Sequence, residues 1–177
     1  FAKPLVNKKD IYHLNKAAHS QWIAHGKYVE DFEKKLKNFL NINYVRVTSS
    51  CSSAISLSFL ILGLKAGDEI VVPGYGFLAA ANIAKNLDLK VKFADVDENT
   101  FCTNAENISK VLSKKTRLII VTHTYGNMCD MQNIASLARR RKIYLMEDAA
   151  QALGSKYKNK FAGTIGDIGV FSFTSTK

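Results

Sequence analysis

The sequence is poor in the residues that mark disulfide-rich, fibrous or disordered proteins. Its 177 residues include 2 prolines and 3 cysteines. Cys51, Cys102 and Cys129 are odd in number and have no C-x-x-C spacing, which argues against a disulfide framework and against a zinc site, so no metal is expected. Charged residues make up 23% and aromatic residues 10% of the chain. That composition is typical of an ordinary globular protein of about one domain.

Long hydrophobic runs are also missing. The longest, around Ile55–Leu64, is shorter than the ~20 residues that a membrane span needs. The first residues, Phe1-Ala2-Lys3-Pro4, do not provide the apolar core of a secretion signal. We therefore expect a cytoplasmic protein without a transmembrane helix.

Positive charge is in excess but is not concentrated. The chain has 25 Lys and Arg against 15 Asp and Glu, a net charge of +10. The basic residues occur in short groups such as Lys34-Lys35, Lys114-Lys115 and Arg139-Arg140-Arg141, without a basic helix or an aromatic platform. We expect a solvated basic surface rather than a nucleic-acid or membrane partner. A phosphate-rich small substrate would benefit from the same field.

Hydrophobic spacing divides the chain into two parts. Apolar residues recur every three or four positions in residues 1–43, which predicts an N-terminal helical segment interrupted at Gly26. In residues 44–177, short β-rich runs alternate with helical stretches, which predicts an α/β domain with a mostly parallel sheet. The predicted strands are Tyr44–Val47, Ile70–Val72, Val91–Phe93, Leu118–Thr122, Ile143–Met146 and Val170–Phe173.

Ligands of such sheets bind at the carboxyl ends of the strands, and the first segment there is rich in hydroxyl groups. Thr48–Ser53 links a predicted strand to a helix predicted over Ala54–Leu64, with Ser52 and Ser53 as its start signals. Hydroxyl and free N–H groups at a helix N-terminus favour a phosphate, although simple N-capping explains the same residues. Cys51 would be a nucleophile only beside a base, and the sequence identifies none.

Two further segments at this edge carry glycines. Gly74–Ala79 fits the loose G-x-G-x-x-A dinucleotide pattern, but Pro73 interrupts it, and we favour a turn that lets Phe77 face the crevice. Gly163–Lys177 runs from a glycine-rich turn through a strand into a hydroxyl-rich loop that ends on Lys177. A lysine there is either a candidate Schiff-base amine or only a charged end.

The strand at 143–146 leads into two adjacent carboxylates, Glu147 and Asp148, followed by Gln151. Side chains alternate along a strand, so only one carboxylate can face a given ligand, which argues against a shared metal. A single buried carboxylate suits a cationic ring nitrogen, with Gln151 close enough along the chain to hydrogen-bond a neighbouring oxygen. The alternative for Asp148 is a helix cap. His123 ends a strand at the same edge, and we expect it to be packed and hydrogen-bonded.

Together, these segments resemble the DegT/DnrJ/StrS-type family of pyridoxal-phosphate-dependent sugar aminotransferases. The motifs that carry the resemblance are Trp22-Ile23-Ala24-His25-Gly26, Gly67–Pro73, His123-Thr124-Tyr125-Gly126, Glu147–Ala152, Gly166–Phe173 and Thr176-Lys177. The resemblance implies fold type I, with a three-layer α/β/α large domain and a small C-terminal domain that is absent from this chain.

The functional residues of the family carry over position by position. The resemblance implies that Lys177 holds pyridoxal 5'-phosphate as a Schiff base and moves the proton, and that Asp148 pairs with the protonated pyridine nitrogen. Gln151 would contact the 3-oxygen of the ring, and Phe77 would stack on its face. The implied phosphate ligands are Cys51, Ser52 and Ser172, where Cys51-Ser52 replaces the usual Gly-Thr.

The resemblance also implies a reaction. An amino group would move, from glutamate, onto a nucleoside-diphosphate-linked keto-sugar used in surface polysaccharides or glycosylated natural products. His25 and Gly26 are implied contacts of that sugar nucleotide, with an idle, exposed histidine as the alternative. A second activity in the family is sugar dehydration, but those enzymes generally have His where this chain has Lys177. A non-catalytic binding or regulatory homologue is a third possibility.

Members of the family are longer than this chain and complete their active sites across a homodimer interface. We therefore expect the 177 residues to be a portion of a longer enzyme. Alone, they should have little or no transaminase activity.

Overall fold

The computed structural model describes residues 4–22, 24 and 26–175. Among the described residues, those of 1–47 together with those of 174–177 form one compact unit, and residues 48–173 form another. In the described residues, no helix is both long and apolar enough to cross a bilayer.

The first unit contains two helices, α1 (Lys8–His19) and α2 (Lys27–Leu40). Asn7 caps α1, because its side chain accepts the Asp10 N–H while the Asp10 carboxylate accepts the Asn7 N–H. This reciprocal pairing satisfies donors that a helix N-terminus leaves unpaired. Helix α2 buries Leu36 and Leu40, the apolar face that the spacing predicts.

The strand predicted at 44–47 is wrong, since these residues form neither helix nor strand. The buried Glu33 carboxylate accepts the Val47 N–H at 2.8 Å and Arg46 Nη1 at 2.7 Å. A side chain of α2 therefore holds a backbone donor that a strand would pair with a neighbour. Tyr44, the residue that made the segment look β-rich, is 90% exposed.

The second unit is built on a parallel sheet. Its helices are α3 (Cys51–Ile61), α4 (Ala79–Asn86), α5 (Ala105–Val111) and α6 (Met131–Arg141), with a 3-10 turn at Thr124–Gly126. The sheet strands are β1 (Glu69–Pro73), β2 (Lys90–Ala94), β3 (Thr116–Thr122), β4 (Tyr144–Asp148) and β7 (Ile168–Val170). Their order is β2-β1-β3-β4-β7, and all neighbours are parallel. A separate antiparallel hairpin joins β5 (Lys156–Tyr157) to β6 (Lys160–Phe161).

Two apolar cores lie on opposite faces of the sheet. Alternate residues of one strand, such as Ile119 and Val121 of β3, pack in the core that includes α5 and α6, while their neighbours Leu118 and Ile120 pack in the core of α3 and α4. A strand buried on both faces reads as a continuous apolar run, as 118–121 does. The predicted three-layer α/β/α arrangement around a parallel sheet is confirmed.

Some predicted boundaries move. Helix α3 begins one residue before Ser52, with Ser50 as its N-cap, because Ser50 Oγ accepts the Ser53 N–H at 3.0 Å. Strand β7 ends at Val170 rather than Phe173. Both changes concern the edge where ligands of this fold class bind. The earlier start of α3 shortens the irregular segment before the helix, and the earlier end of β7 lengthens the irregular segment after the strand.

Candidate active site

The carboxyl ends of the parallel strands meet at one edge of the sheet. Asp148 is the last residue of β4, and Ser172 lies two residues beyond β7. Phe77 follows β1 in the turn before α4. Helix α3 ends just before β1, so its N-terminus, with Cys51 and Ser52, lies at the same edge. In the second unit, the topology thus collects the predicted cofactor residues at the edge where α/β sheets bind ligands.

Asp148 and Glu147 point in different directions. Asp148 is partly exposed at the edge, and its Oδ1 accepts the Ala150 N–H at 3.0 Å. Glu147 is completely buried. The alternation of side chains along β4 therefore leaves one carboxylate at the candidate site and places the other in the interior.

Gln151 is fixed by a backbone donor. Its Oε1 accepts the Tyr125 N–H at 2.8 Å. Tyr125 adopts φ +55°, a left-handed conformation that is unfavourable for an aromatic residue, so this hydrogen bond holds a strained turn. Because the oxygen of the carboxamide is committed, its Nε2 is the end that can donate to a ligand.

Three aromatic rings that the sequence did not single out as site residues lie at this edge. The Tyr75 and Tyr125 hydroxyls are 2.6 Å apart, and the Phe101 ring contacts both rings. The hydrogen bond with Tyr125 raises the pKa of Tyr75. Phe77 is 80% exposed, as a side chain available to a ligand would be. Of these three residues, Tyr125 belongs to the sequence motif His123–Gly126, which could have indicated it as a site residue. The sequence prediction for that motif concerned only His123.

Hydroxyl groups line the start of α3. Ser49 and Ser50 each place their Oγ about 3 Å from Ser53 Oγ, at 3.0 and 2.9 Å respectively. Thr48 Oγ1 donates to the Ser50 carbonyl. Within the part of the chain that the structure describes, no partner is found for the N–H or hydroxyl of Ser52, which is exposed. The helix dipole favours an anion at this position.

The buried Glu147 carboxylate has four donors. Its Oε2 accepts from His123 Nε2 at 2.9 Å and the Gly163 N–H at 3.0 Å, and its Oε1 accepts the Ile165 and Gly166 N–H groups, both at 2.6 Å. Burial would raise the pKa of Glu147, but the hydrogen bonds from His123 and the turn outweigh it, and the pKa is lowered. An ionised carboxylate is thus stable in the interior, a feature the sequence analysis missed.

His123 is neutral in this arrangement. Its Nδ1 accepts the Cys129 N–H at 3.3 Å, so that nitrogen carries a lone pair and the proton resides on Nε2. The Nε2–H donates to Glu147. His123 is completely buried, and its packed, hydrogen-bonded environment matches the expectation from the sequence.

The other predicted site residues are Lys177, His25 and Gly26. Lys177 and His25 are outside the described residues. Gly26 caps α2 in the first unit, where a Cβ would lie 2.4 Å from the Trp22 ring, so a side chain at this position would collide. Among residues 4–22, 24 and 26–175, no group of three or more His, Cys, Asp or Glu side chains is arranged to hold a metal ion.

Comparison with known proteins assigns the chain to a family. The model of the DegT/DnrJ/EryC1/StrS aminotransferase family matches residues 4–177. The chain belongs to this family. The chain is similar to GDP-perosamine synthase of Escherichia coli O157:H7, with 36% identity over 176 residues. That match covers 99% of this chain and 48% of the synthase.

Solved structures of similar proteins share the fold. An aminotransferase from Psychrobacter cryohalolentis superposes with a TM-score of 0.95 at 30% identity, covering 100% of this chain and 45% of that one. The GDP-4-keto-6-deoxy-D-mannose-3-dehydratase of Escherichia coli, solved with bound hydrated PLP, has a TM-score of 0.89 at 28% identity, with 96% and 46% covered. The chain therefore spans about half the length of the relatives it matches.

Pyridoxal phosphate is the cofactor that membership of this family indicates. The chemistry of the donors at the sheet edge fits it. A carboxylate at the end of β4 suits a pyridinium nitrogen, the oriented Nε2 of Gln151 suits an anionic ring oxygen, and the start of α3 suits a phosphate.

Proposed function

We propose that residues 44–177 form the cofactor-binding domain of a nucleotide-sugar aminotransferase. In this proposal, the enzyme takes an amino group from glutamate and places it on a keto-sugar linked to a nucleoside diphosphate. The single observation that carries the proposal is the donor set at the carboxyl edge of the sheet, in which Asp148, Gln151 and the start of α3 offer complementary groups to the ring and phosphate of one cofactor.

The chain's own residues then have defined tasks. Asp148 keeps the ring nitrogen protonated, Gln151 donates to the ring oxygen, and Phe77 covers one face of the ring. Ser52 and Ser172, with the Cys51 backbone, hold the phosphate at the dipole of α3. When bound, pyridoxal phosphate supplies an electron sink for the carbon that loses a proton. Lys177 attaches the cofactor and moves that proton.

The substrate class rests on the relatives. Names such as GDP-perosamine synthase and a GDP-linked 4-keto-6-deoxymannose dehydratase describe enzymes of GDP-linked sugars. Because of this similarity, we propose a keto-sugar linked to a nucleoside diphosphate as the substrate. We also propose that a homodimer completes the active site. His25 and Gly26 are proposed contacts of the sugar nucleotide. Lys177, in place of the histidine of the dehydratases, favours transamination.

The test is covalent labelling of the whole gene product. The protein is incubated with pyridoxal phosphate, reduced with borohydride and digested, and the labelled peptide is sequenced. We expect a visible absorption band and a label on Lys177. A label on another lysine, or no binding, contradicts the proposal. With glutamate and a GDP-linked 4-keto-sugar, an amino sugar supports transamination, and a deoxygenated keto-sugar supports the dehydratase instead.

Two substitutions of Gln151 separate the role of its Oε1 acceptor from that of its Nε2 donor. Gln151→Glu keeps an oxygen for the Tyr125 N–H but replaces the donor Nε2 with a second oxygen. We expect Gln151→Glu to weaken pyridoxal phosphate binding by about 10-fold or more, because two acceptors then face each other. The free energy of unfolding should stay close to that of the native protein. Both are measured on the same preparation, by cofactor titration and by urea unfolding.

Gln151→Ala is the matched variant. It removes both the acceptor and the donor, so the Tyr125 turn should lose about 1 kcal/mol of stability while cofactor binding weakens less than in Gln151→Glu. Equal cofactor affinity in the native protein and Gln151→Glu would show that Gln151 does not meet the ring oxygen.

A further inference from the structure

Glu147 connects β4 to the turn that precedes β7. Three of its four hydrogen bonds come from backbone N–H groups of residues 163–166, and the fourth comes from His123 at the end of β3. Both acceptor oxygens carry two donors each. No task in the proposed reaction uses this buried charge, although it lies one residue before Asp148.

The turn is pressed against its neighbours so tightly that only glycine fits. A Cβ at Gly166 would lie 2.6 Å from the Leu145 carbonyl oxygen, and one at Gly169 would lie 2.0 Å from the Gly163 oxygen. These contacts join backbone to backbone, so they cannot be relieved by a side-chain rotation. The position of the turn therefore fixes where β7 begins.

Strand β7 is short. It has three residues, pairs with Met146–Asp148 of β4, and contains Gly169, which contributes no side chain. Besides the turn held by Glu147, Asp167 ties the start of the strand to β4, because its Oδ2 accepts the Leu145 N–H and its N–H donates to the Leu145 carbonyl, both at 2.8 Å. A slip of one residue along β4 would turn every side chain of the strand to the opposite face. Ser172, two residues beyond the strand, would be displaced with it.

We propose that Glu147 and His123 are positioning residues that fix the register of β7 and thereby place Ser172 for the cofactor phosphate. The assignment rests on the proposed function, because it needs a phosphate at Ser172. Its physical basis is the carboxylate that anchors the turn and the neutral histidine that orients this carboxylate. The Nε2–H donor of His123 acts directly on Glu147, whereas the Nδ1 acceptor sets which ring nitrogen carries the proton.

Two substitutions separate the nitrogens of His123. His123→Gln retains a donor at the Nε2 position and loses the acceptor of the Cys129 N–H. His123→Asn retains an acceptor near the Nδ1 position and loses the donor to Glu147. Each variant removes one buried hydrogen bond, so both should be destabilised by similar amounts. They differ in which bond is lost.

The experiment measures both variants in the whole gene product in two ways. The first is amide hydrogen exchange of the peptide covering residues 163–172, in the absence of cofactor. We expect exchange about 10-fold faster in His123→Asn than in the native protein, and a change below about 3-fold in His123→Gln, since the loss of one buried hydrogen bond corresponds to about a factor of ten.

The second measurement compares affinity for pyridoxal phosphate and for pyridoxal, which lacks the phosphate. His123→Asn should weaken binding of the phosphate ester by about 10-fold and leave pyridoxal binding nearly unchanged, with His123→Gln close to the native protein for both. Equal effects of the two variants, or equal losses for the two ligands, would overturn the proposal.

The two measurements also separate this inference from the proposed function. If the native protein binds neither ligand while the exchange rates differ as expected, the proposed function and the phosphate role of Ser172 both fail, and only the anchoring of the turn stands. If the native protein binds pyridoxal phosphate and the variants do not differ, the positioning role fails and the proposed function is unaffected.

Discussion

Asp148→Asn is expected to lower kcat of the proposed transamination about 10- to 1,000-fold. A carboxylate next to a cationic ring nitrogen raises the pKa of that nitrogen by about 1–3 units. The neutral amide of asparagine does not raise it in this way. The ring nitrogen would then lose its proton, and the cofactor would accept electrons poorly. The variant retains Oδ1, which accepts the Ala150 N–H, so the strand end should keep its conformation.

Asp95→Asn is the matched control for this prediction. Asp95 also follows a parallel strand, β2, at the same edge, and its Oδ1 accepts the neighbouring Val96 N–H as that of Asp148 accepts Ala150. We expect native kcat for this variant. Single-turnover absorbance with glutamate as donor measures the step directly. Similar kcat values for the two variants would mean that Asp148 does not face the ring nitrogen.

The position of Asp148 could be predicted because it depends on local rules. Alternating β-rich and helical runs predict parallel strands, and parallel strands bring their carboxyl ends to one edge. The period of two along β4 then separates Asp148 from Glu147. Each step uses residues close together in the chain, where the pattern is strong. The roles of Asp148 and Gln151 came from the family resemblance and stay predictions.

The contacts that span many residues could not be predicted. Glu147 binds a turn 16 to 19 residues away, and Gln151 accepts from Tyr125, 26 residues away. Both contacts depend on the positions of irregular turns. No rule of residue spacing predicts these positions from the sequence. The false strand at 44–47 has the same origin, because the donor of Val47 is taken by Glu33, 14 residues earlier in the chain.

Glu147→Gln is expected to destabilise the fold by about 2–6 kcal/mol, because two buried N–H donors lose their acceptor at a cost of about 1–3 kcal/mol each. In either orientation, the NH2 group of the new amide faces two N–H donors, those of Ile165 and Gly166 or those of His123 and Gly163. Buried donors without acceptors are costly. His123 cannot relieve the conflict by moving its proton to Nδ1, because Nδ1 accepts the Cys129 N–H.

Urea unfolding at pH 7 measures this effect, with an unchanged m-value showing that the native state remains compact. Glu106→Gln is the control, because Glu106 pairs with Lys110 on the surface of α5 and is 78% exposed. Exposed ion pairs contribute little, so its unfolding midpoint should stay close to that of the native protein. A small effect of Glu147→Gln would indicate that the turn finds other acceptors and that the carboxylate does not anchor it.

The pH dependence of the same difference tests whether the carboxylate charge is responsible. The pKa of Glu147 is lower in the folded protein than its ordinary value of 4.5, so the unfolded chain binds the proton more readily. The stabilisation is therefore complete above the ordinary value and is lost as the pH falls through the lower folded pKa. Because glutamine does not titrate, the gap in unfolding free energy between the native protein and Glu147→Gln should be constant near neutrality and should narrow on acidification below that value. A gap that stays constant into the acid range would mean that shape, and not charge, makes Glu147 necessary.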